Sequence, residues 1–410
     1  MGLIVQKYGG TSVGSIERIQ AVADRVIRIH SEGNDVVVVV SAMAGETDRL
    51  IGLANQISEH PVERELDVLL NTGEQVSIAL LTMALAAKGV PAVSFLGHQV
   101  RIKTDSAFSK ARILSIDSDH LMETLKDRKV AIIAGFQGID DEGNLTTLGR
   151  GGSDTTAVAV AAAVKADMCE ILTDVDGVYT TDPNIVPKAR KLDFIAYEEM
   201  LEMASLGAKV LHLRSVEFGM KYNVPLHVRS SFNDHPGTIV GAEECYMEDV
   251  LVTGIAYNRN EAKLTVLGVP DKANSMLELF QPISDANINV DMIVQAASTD
   301  GYTDFSFTVP KPDFDQALVI AQKAADKLGA VGVDSDKDVA KVSIIGVGMR
   351  SHTGVASKLF STYAKEGITA QMVSTSEIKI STLISEKYTE LAVRALHDAF
   401  GLDKVDVKED

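Results

Sequence analysis

Cysteine is almost absent from the chain, which has two, Cys169 and Cys245, in different contexts and without the spacing of metal ligands. Neither a disulfide scaffold nor a cysteine-based metal centre is expected. Basic charge is also short: 39 lysines and arginines stand against 57 acidic residues, a formal net charge of −18. Such a balance argues against nucleic acid as a main partner, because phosphate-backbone binding needs a basic face to release counterions. It leaves small anions open, since a local cluster of cations and amide N–H groups can hold a phosphate on an acidic protein. Long apolar runs are missing too. The longest, residues 157–164, is too short to span a bilayer. The opening Met-Gly-Leu-Ile-Val-Gln lacks the basic and apolar regions of a signal peptide, and position 6 is not the Ser or Thr of a myristoylation signal. A cytoplasmic, reduced protein with no membrane partner is the expectation. The nine histidines show no paired metal spacing, so His30, His98 and His212 read as ordinary surface or core residues.

What is present describes a folded chain of more than one domain. With 410 residues, 46% hydrophobic and 23% charged, it is too long for one ordinary core and too apolar for disorder. Up to about residue 231, short β-branched runs alternate with helical patterns, the signature of an α/β domain with a largely parallel sheet. Residues 3–6, 35–40, 92–96, 130–134, 170–173 and 225–228 read as strands, and 16–30, 75–88 and 155–165 as helices. Residues 232–249 shift to Asn, Asp, His, Pro, Gly and acidic residues and read as a linker. Beyond it the sequence repeats: "AKLTVLGV" at 262–269 matches "AKVSIIGV" at 340–347, and "ANINVDMI" at 286–293 matches "EGITAQMV" at 366–373. Each copy reads strand, helix, strand, strand, helix, a ferredoxin-like α+β unit, over residues 250–335 and 336–404, with a charged tail at 405–410. An open face or edge on such a unit predicts pairing between the copies and between chains, hence at least a dimer.

Four glycine- or hydroxyl-rich turns stand out in the first domain: Lys7-Tyr8-Gly9-Gly10-Thr11-Ser12, Ser41-Ala42-Met43-Ala44-Gly45, Gly149-Arg150-Gly151-Gly152-Ser153-Asp154 and Thr173-Asp174-Val175-Asp176-Gly177. Each alone reads equally well as a strand-to-helix connection. At a helix start, though, free N–H groups and the dipole attract negative charge, and glycine lets a phosphate approach the backbone. Four such turns, one with Lys7, point to an anion site at the carboxyl ends of the strands, where open α/β sheets bind ligands. None is a Walker loop or a Rossmann fingerprint. The Asp174–Gly177 stretch lacks the spaced ligands of a calcium loop but could serve a magnesium nucleotide or its ribose. Glu74, in "NTGEQ", reads either as a capping charge or as the partner of an ammonium group. Arg150 reads as a solvated cation or as a two-pronged grip on a carboxylate. Together the two would read an amino acid. Lys209, in "SLGAKVLH", would offset a helix dipole or touch a phosphate.

These residues resemble aspartate kinases of the amino-acid kinase family. "KYGGTSVGS", "VVVVVSAMAGETD", "NTGEQVSIALL", "AGFQG", "TTLGRGGSDTTA", "ILTDVDGVYTTDP" and "EMLEMASLGAKVLH" are similar to that family's blocks, in order, and the repeats resemble its paired ACT domains. The resemblance implies an amino-acid-kinase three-layer sandwich followed by two ACT domains. It implies transfer of a phosphoryl group from ATP with Mg²⁺ to the side-chain carboxylate of aspartate. By the same resemblance Lys7, Tyr8, Gly9, Gly10 and Ser12 hold phosphates. Thr47, Glu74, Arg150, Gly151 and Ser153 hold aspartate, with Asp154 organising their loop beside Lys7 as the second catalytic group. Thr173, Asp174, Tyr179, Asp182 and Lys209 line the nucleotide site. Room for a fused homoserine dehydrogenase is lacking, so a monofunctional enzyme is expected, and a shorter regulatory chain starting at Met247 is conceivable. Feedback by lysine, threonine or both would act near Asp271, Ser275, Gln295, Thr369, Ala370, Met372 and Ser376. Two departures bear on it: Ala273-Asn274-Ser275 stands where Pro-Gly is common, and Thr369-Ala370 where Asn-Ile is common. Loss of a glycine bars close backbone approach, so weakened or altered feedback is expected. A kinase of glutamate or acetylglutamate would share this fold, as would a non-catalytic amino-acid sensor. Intact Lys7, Glu74, Arg150 and Asp174 speak against the sensor.

Overall fold

The computed structural model describes residues 2–206, 210–243, 251–350 and 352–404. Lys209, Cys245, Met247 and the charged tail lie outside the described residues. The chain divides into two compact units. The first holds residues up to Tyr179, Lys191–Ser205 and residues 210–243, and the second holds Thr180–Arg190, Leu206 and the chain from residue 251 onward.

In the first unit β1 (Leu3–Tyr8) leads through a short 3₁₀ turn to α1 (Ile16–Ser31), whose N-terminus is capped by the Ser15 hydroxyl accepting from the Arg18 amide. The next elements are β2 (Asp35–Val40), α2 (Glu46–Ile57), α3 (Glu63–Ala87) and β3 (Ala92–Phe95). Two short strands, β4 (Lys103–Thr104) and β5 (Ile113–Ser115), precede α4 (Asp119–Lys126). Strands β6 (Val130–Ala134), β7 (Gln137–Ile139) and β8 (Leu145–Thr147) lead to α5 (Gly152–Val164) and β9 (Met168–Thr173). The unit closes with β10 (Phe194–Ala196), α6 (Tyr197–Ser205), α7 (Leu213–Tyr222), β11 (Leu226–Ser230) and β12 (Thr238–Gly241). The main sheet runs β10-β12-β11-β9-β1-β2-β6-β3 and is parallel except at the β11/β12 pair. Its central strands are covered on both faces. Val36 to Val40 of β2 are fully buried, which is why that strand reads as an unbroken run of valines rather than an alternation.

Two expectations change here. The stretch expected to be a linker contributes β12, which pairs with both β10 and β11. Its sequence reads as loop because only four of its residues are extended, set among turn formers. The helix expected from residue 75 begins at Glu63, so Glu74 lies inside α3 and not near a helix start. Gly73 misleads: in an exposed helix it would be a breaker, but here a Cβ would come within 2.9 Å of the Ala42 Cβ, so the missing side chain is what admits the neighbouring turn. By length and apolarity α3 could cross a membrane. In this fold Ile78, Leu81 and Leu85 pack into the core between the sheet and α1, and Asp67, Asn71 and Glu74 are buried along the helix.

In the second unit the expected order appears twice: β13 (Gly254–Pro270), α8 (Ser275–Asp285), β14 (Ile293–Gln295), β15 (Tyr302–Val309) and α9 (Phe314–Leu328), then β16 (Gly332–Ile345), α10 (Val355–Lys365), β17 (Met372–Thr375), β18 (Lys379–Ser385) and α11 (Thr389–Phe400). The six strands form one sheet, β14-β15-β13-β16-β18-β17. Each repeat obtains its fourth strand from the long strand of the other. Gly254–Asn258 pair with Ile345–Lys341, and Lys263–Leu267 pair with Asp336–Gly332. A boundary at residues 335 and 336 therefore falls inside β16. Two hydrophobic cores result, one under α8 and α9 and one under α10 and α11, and Ile185 and Val186 of the strap Thr180–Arg190 are buried in the latter.

Candidate active site

Four turns meet at the carboxyl edge of the main sheet in the first unit. β1, β2 and β9 lie side by side and parallel, so the turns that leave them emerge on one rim. Backbone hydrogen bonds join these turns directly: Ser41 N–H donates to Tyr8 O, Ala44 N–H to Gly10 O, and Gly9 N–H to Leu172 O. Gly10 is required by this approach, because a Cβ would stand 2.8 Å from Ala42 O. The Ser12 hydroxyl donates to Ser231 Oγ at 2.8 Å, and the Ser231 amide and hydroxyl both donate to Thr173 O. The fourth turn is thereby tied to the first.

The third turn joins through an ion pair. Lys7 is buried on β1, and its ammonium lies 2.5 Å from Asp154 Oδ1 in the first turn of α5. A carboxylate at a helix N-terminus is favoured by the macrodipole, so Asp154 is a stable anchor for the lysine. Gly9 stands against the same ammonium, its absent Cβ 3.6 Å from Nζ. Gly151 precedes α5 with φ +70°, and a Cβ there would fall 2.1 Å from His212 Cγ. His212, expected to be an ordinary histidine, thus backs the turn, and burial lowers its pKa.

Glu74 enters from α3. It is 3% exposed, its Oε1 accepts the Ala42 amide at 3.2 Å, and Oε2 has no hydrogen-bond partner among the described residues. Burial pushes its pKa up to about 7. A buried carboxyl with an open oxygen is costly unless a donor arrives. Such a group can receive an ammonium. Ser153 is buried at the α5 N-terminus, Thr47 is half-buried on α2, and Arg150 is exposed on the third turn.

Other expected residues fall differently. Tyr8 alternates with Lys7 on β1, so its side chain points to the opposite face, fully buried in the core with its hydroxyl donating to Gln6 Oε1. Only its backbone borders the rim, so a phosphate contact at Tyr8 would be made by its backbone and not by its phenol. Asp176 is committed to Asn233 Nδ2 and His235 Nδ1, which hold its pKa low, while Asp174 is exposed. Tyr179 is half-buried and pairs by a backbone bridge with Lys191. Asp182 lies in the second unit, where it accepts from the Tyr257 hydroxyl at 3.0 Å and from Asn184. Among the effector candidates, Asp271, Gln295, Thr369 and Ser376 are exposed and Ala370 is half-buried. Ser275 is buried with its hydroxyl donating to Pro270 O, and Met372 is buried beside Met292, Val339 and Leu383. Sequence reasoning missed Ser231, His212 and Asp67. Of these only Asp67 had a signal, its position seven residues before Glu74 on one helix face.

Comparison with known proteins identifies the family. Residues 2–230 match the amino acid kinase family and residues 342–400 match the ACT domain. An aspartokinase of Pseudomonas aeruginosa is 62% identical over 405 residues, 98% of each chain, and an aspartate kinase of Pseudomonas putida is 60% identical over 404 residues, again 98% of each. The crystal structure of E. coli aspartokinase III in complex with aspartate and ADP superposes with a TM-score of 0.80 at 27% identity, covering 97% of this chain and 99% of that one. The same enzyme with lysine and aspartate gives 0.76 at 28% identity over the same shares. With the fold, the joined rim of turns and these full-length matches together, the chain belongs to the aspartokinases of the amino acid kinase family.

Proposed function

We propose that this aspartokinase transfers the γ-phosphoryl group of ATP to the side-chain carboxylate of L-aspartate, giving 4-phospho-L-aspartate on the route to lysine, threonine and methionine, through the residues assembled on the rim. One observation carries the reading of the site: the turn that bonds to the Lys7 loop through Ala44 also bonds to Glu74 through Ala42, so an anion-holding group and an ammonium-accepting group share one support. The acceptor's side-chain carboxylate is ionised at neutral pH and needs no general base. The obstacle is repulsion between anions. Lys7, the amides of Gly9 and Gly10 and the N-terminus of α5 supply the positive field for the transferred group. Asp154, 2.5 Å from the ammonium, keeps Lys7 aimed. Glu74 takes the amino group of aspartate, and Arg150 takes its α-carboxylate, with Thr47, Gly151 and Ser153 beside them.

Thr173, Asp174 and Tyr179 of the first unit serve the nucleotide; the resemblance alone adds Lys209, which lies outside the described residues. A magnesium ion bound to the triphosphate could be met by Asp174, an exposed carboxylate on this rim. That ion would offset charge on the phosphates during in-line transfer. The protein works in the cytoplasm, as at least a dimer, and its ACT repeats respond to lysine or threonine.

The test is a coupled assay of ADP release with aspartate and with glutamate. Turnover is expected with aspartate, and Lys7→Ala is expected to lose about a hundredfold or more of kcat while still folding, with a lowered melting temperature because Asp154 loses its buried ion partner. Equal turnover with glutamate would move the chain to another acceptor class, and near-normal kcat in Lys7→Ala would remove Lys7 from the chemistry.

A further inference from the structure

Behind the third turn lies a buried carboxylate that the reaction does not use. Asp67, on α3, has no exposed surface and forms no ion pair among the described residues. Its two oxygens accept from four donors: the Ser109 amide at 3.1 and 3.0 Å, the Ser109 hydroxyl at 3.3 Å, the Thr147 amide at 2.8 Å and the Thr147 hydroxyl at 2.7 Å. From α7, Arg214 meets the same two segments one and two residues further on. Its guanidinium donates to Leu148 O at 2.7 Å and to Ala111 O at 3.1 Å. The segments are themselves joined, Ala111 N–H donating to Thr147 O at 2.9 Å.

The division of labour is chemical. A carboxylate, which only accepts, takes the amide hydrogens at 109 and 147, and a guanidinium, which only donates, takes the carbonyls at 111 and 148. Immediately after residue 148 the chain enters Gly149, with φ +74° and a missing Cβ that would stand 3.0 Å from Ser109 O, then Arg150 and Gly151. Leaving a carboxylate uncompensated by a cation is unfavourable, and it is tolerated where donors are fixed around it.

We propose that Asp67 and Arg214 are positioning residues for the acceptor site, clamping segments 109–111 and 147–148 from opposite sides so that the Gly149-Arg150-Gly151 turn is held where Arg150 meets the acceptor. The inference rests on the reading above that Arg150 grips the acceptor's α-carboxylate. Neither residue touches substrate, so both act through the turn. Asp67→Asn replaces an acceptor by an NH₂ that faces the Ser109 or Thr147 amide, and Arg214→Gln removes one of two donors.

The experiment measures KM for aspartate and for ATP, with kcat and a thermal melt, in Asp67→Asn, Arg214→Gln, their double variant and Arg150→Gln. Each clamp variant is expected to raise KM for aspartate about tenfold, with KM for ATP changed less than about twofold and the double variant falling short of the product of the singles. An unchanged KM for aspartate in the folded clamp variants, or KM values for both substrates rising together as in general loosening, overturns the inference. If Asp67→Asn does not fold, Arg214→Gln decides alone. Arg150→Gln separates the two levels. If it raises KM for aspartate and the clamp variants do not, only the clamp falls. If it has no effect, the role given to Arg150 falls with the clamp's stated route, whatever the other variants do.

Discussion

Glu74 is the residue at which burial and function oppose each other. Its carboxyl, which titrates near 4.5 in water, is pushed up to about 7 by burial, and one oxygen has no partner among the described residues. Between those two values the unfolded chain has released the proton that the folded chain still holds. Stability therefore falls as pH rises from 4.5 toward 7 and the loss is complete above it, about 3 kcal/mol for a shift of that size. Replacing the group with a neutral amide should recover part of this: Glu74→Gln is expected to melt higher than the parent at pH 8 and no higher at pH 4, by differential scanning calorimetry. The same titration governs binding. An ammonium is attracted only by the ionised form, so the dissociation constant for aspartate should fall as pH rises through about 7, and the dependence should flatten in Glu74→Gln. Calorimetric titration across that range checks it, and a flat profile in the parent chain would count against Glu74 as the ammonium partner. Tyr8 makes the complementary point: beside Lys7 in sequence, it is turned into the core by the strand's alternation.

Among the elements, α5 shows how much a helix start depends on what lies behind it. Gly151 combines φ +70° with a Cβ direction already filled by His212, so Gly151→Ala meets both backbone strain and a clash. A loss of about 2 kcal/mol or more is expected, with His212→Ala restoring part of it in the double variant. Thermal melts of the four proteins measure this, and no recovery would mean that strain alone sets the cost. In the second unit the link between β13 and β16 is stiffened by Lys341, 5% exposed, whose ammonium pairs with Glu261 at 3.2 Å and also with Asp291. Removing the cation strands a buried carboxylate, so Lys341→Met should destabilise the chain by about 3 kcal/mol, measured by denaturant midpoint. Strands β2, β6 and β9 were legible as apolar β-branched runs, and the repeats as repeats. The start of α3 and the existence of β12 were not, because Gly73 and the turn formers around residues 236–241 carry local propensities that only packing against Ala42 or strand pairing overrides.

For the whole molecule, regulation is the property at stake. Of the positions that the resemblance marks for an effector, Ser275 has its hydroxyl committed to Pro270 O and Met372 is buried in a core, whereas Asp271 and Gln295 are exposed. Ser275→Ala should therefore leave the concentrations of lysine and threonine needed for half-inhibition within about twofold, while Gln295→Ala shifts them. Inhibition curves with each amino acid decide, and an equal shift in both variants would show that Ser275 does reach the effector. By itself the sequence determined the class of the first unit, the doubling of the second and the four turns with Lys7, because periodicity, repetition and glycine placement are local properties of the chain. Only the tertiary structure decided that those turns are bonded into one rim, that Glu74 is a half-satisfied carboxyl inside a helix, and that Asp67 and Arg214 brace the turn before α5. Those facts depend on which distant segments exclude water from a given side chain, and desolvation and donor geometry are set by contacts that no single stretch of sequence contains.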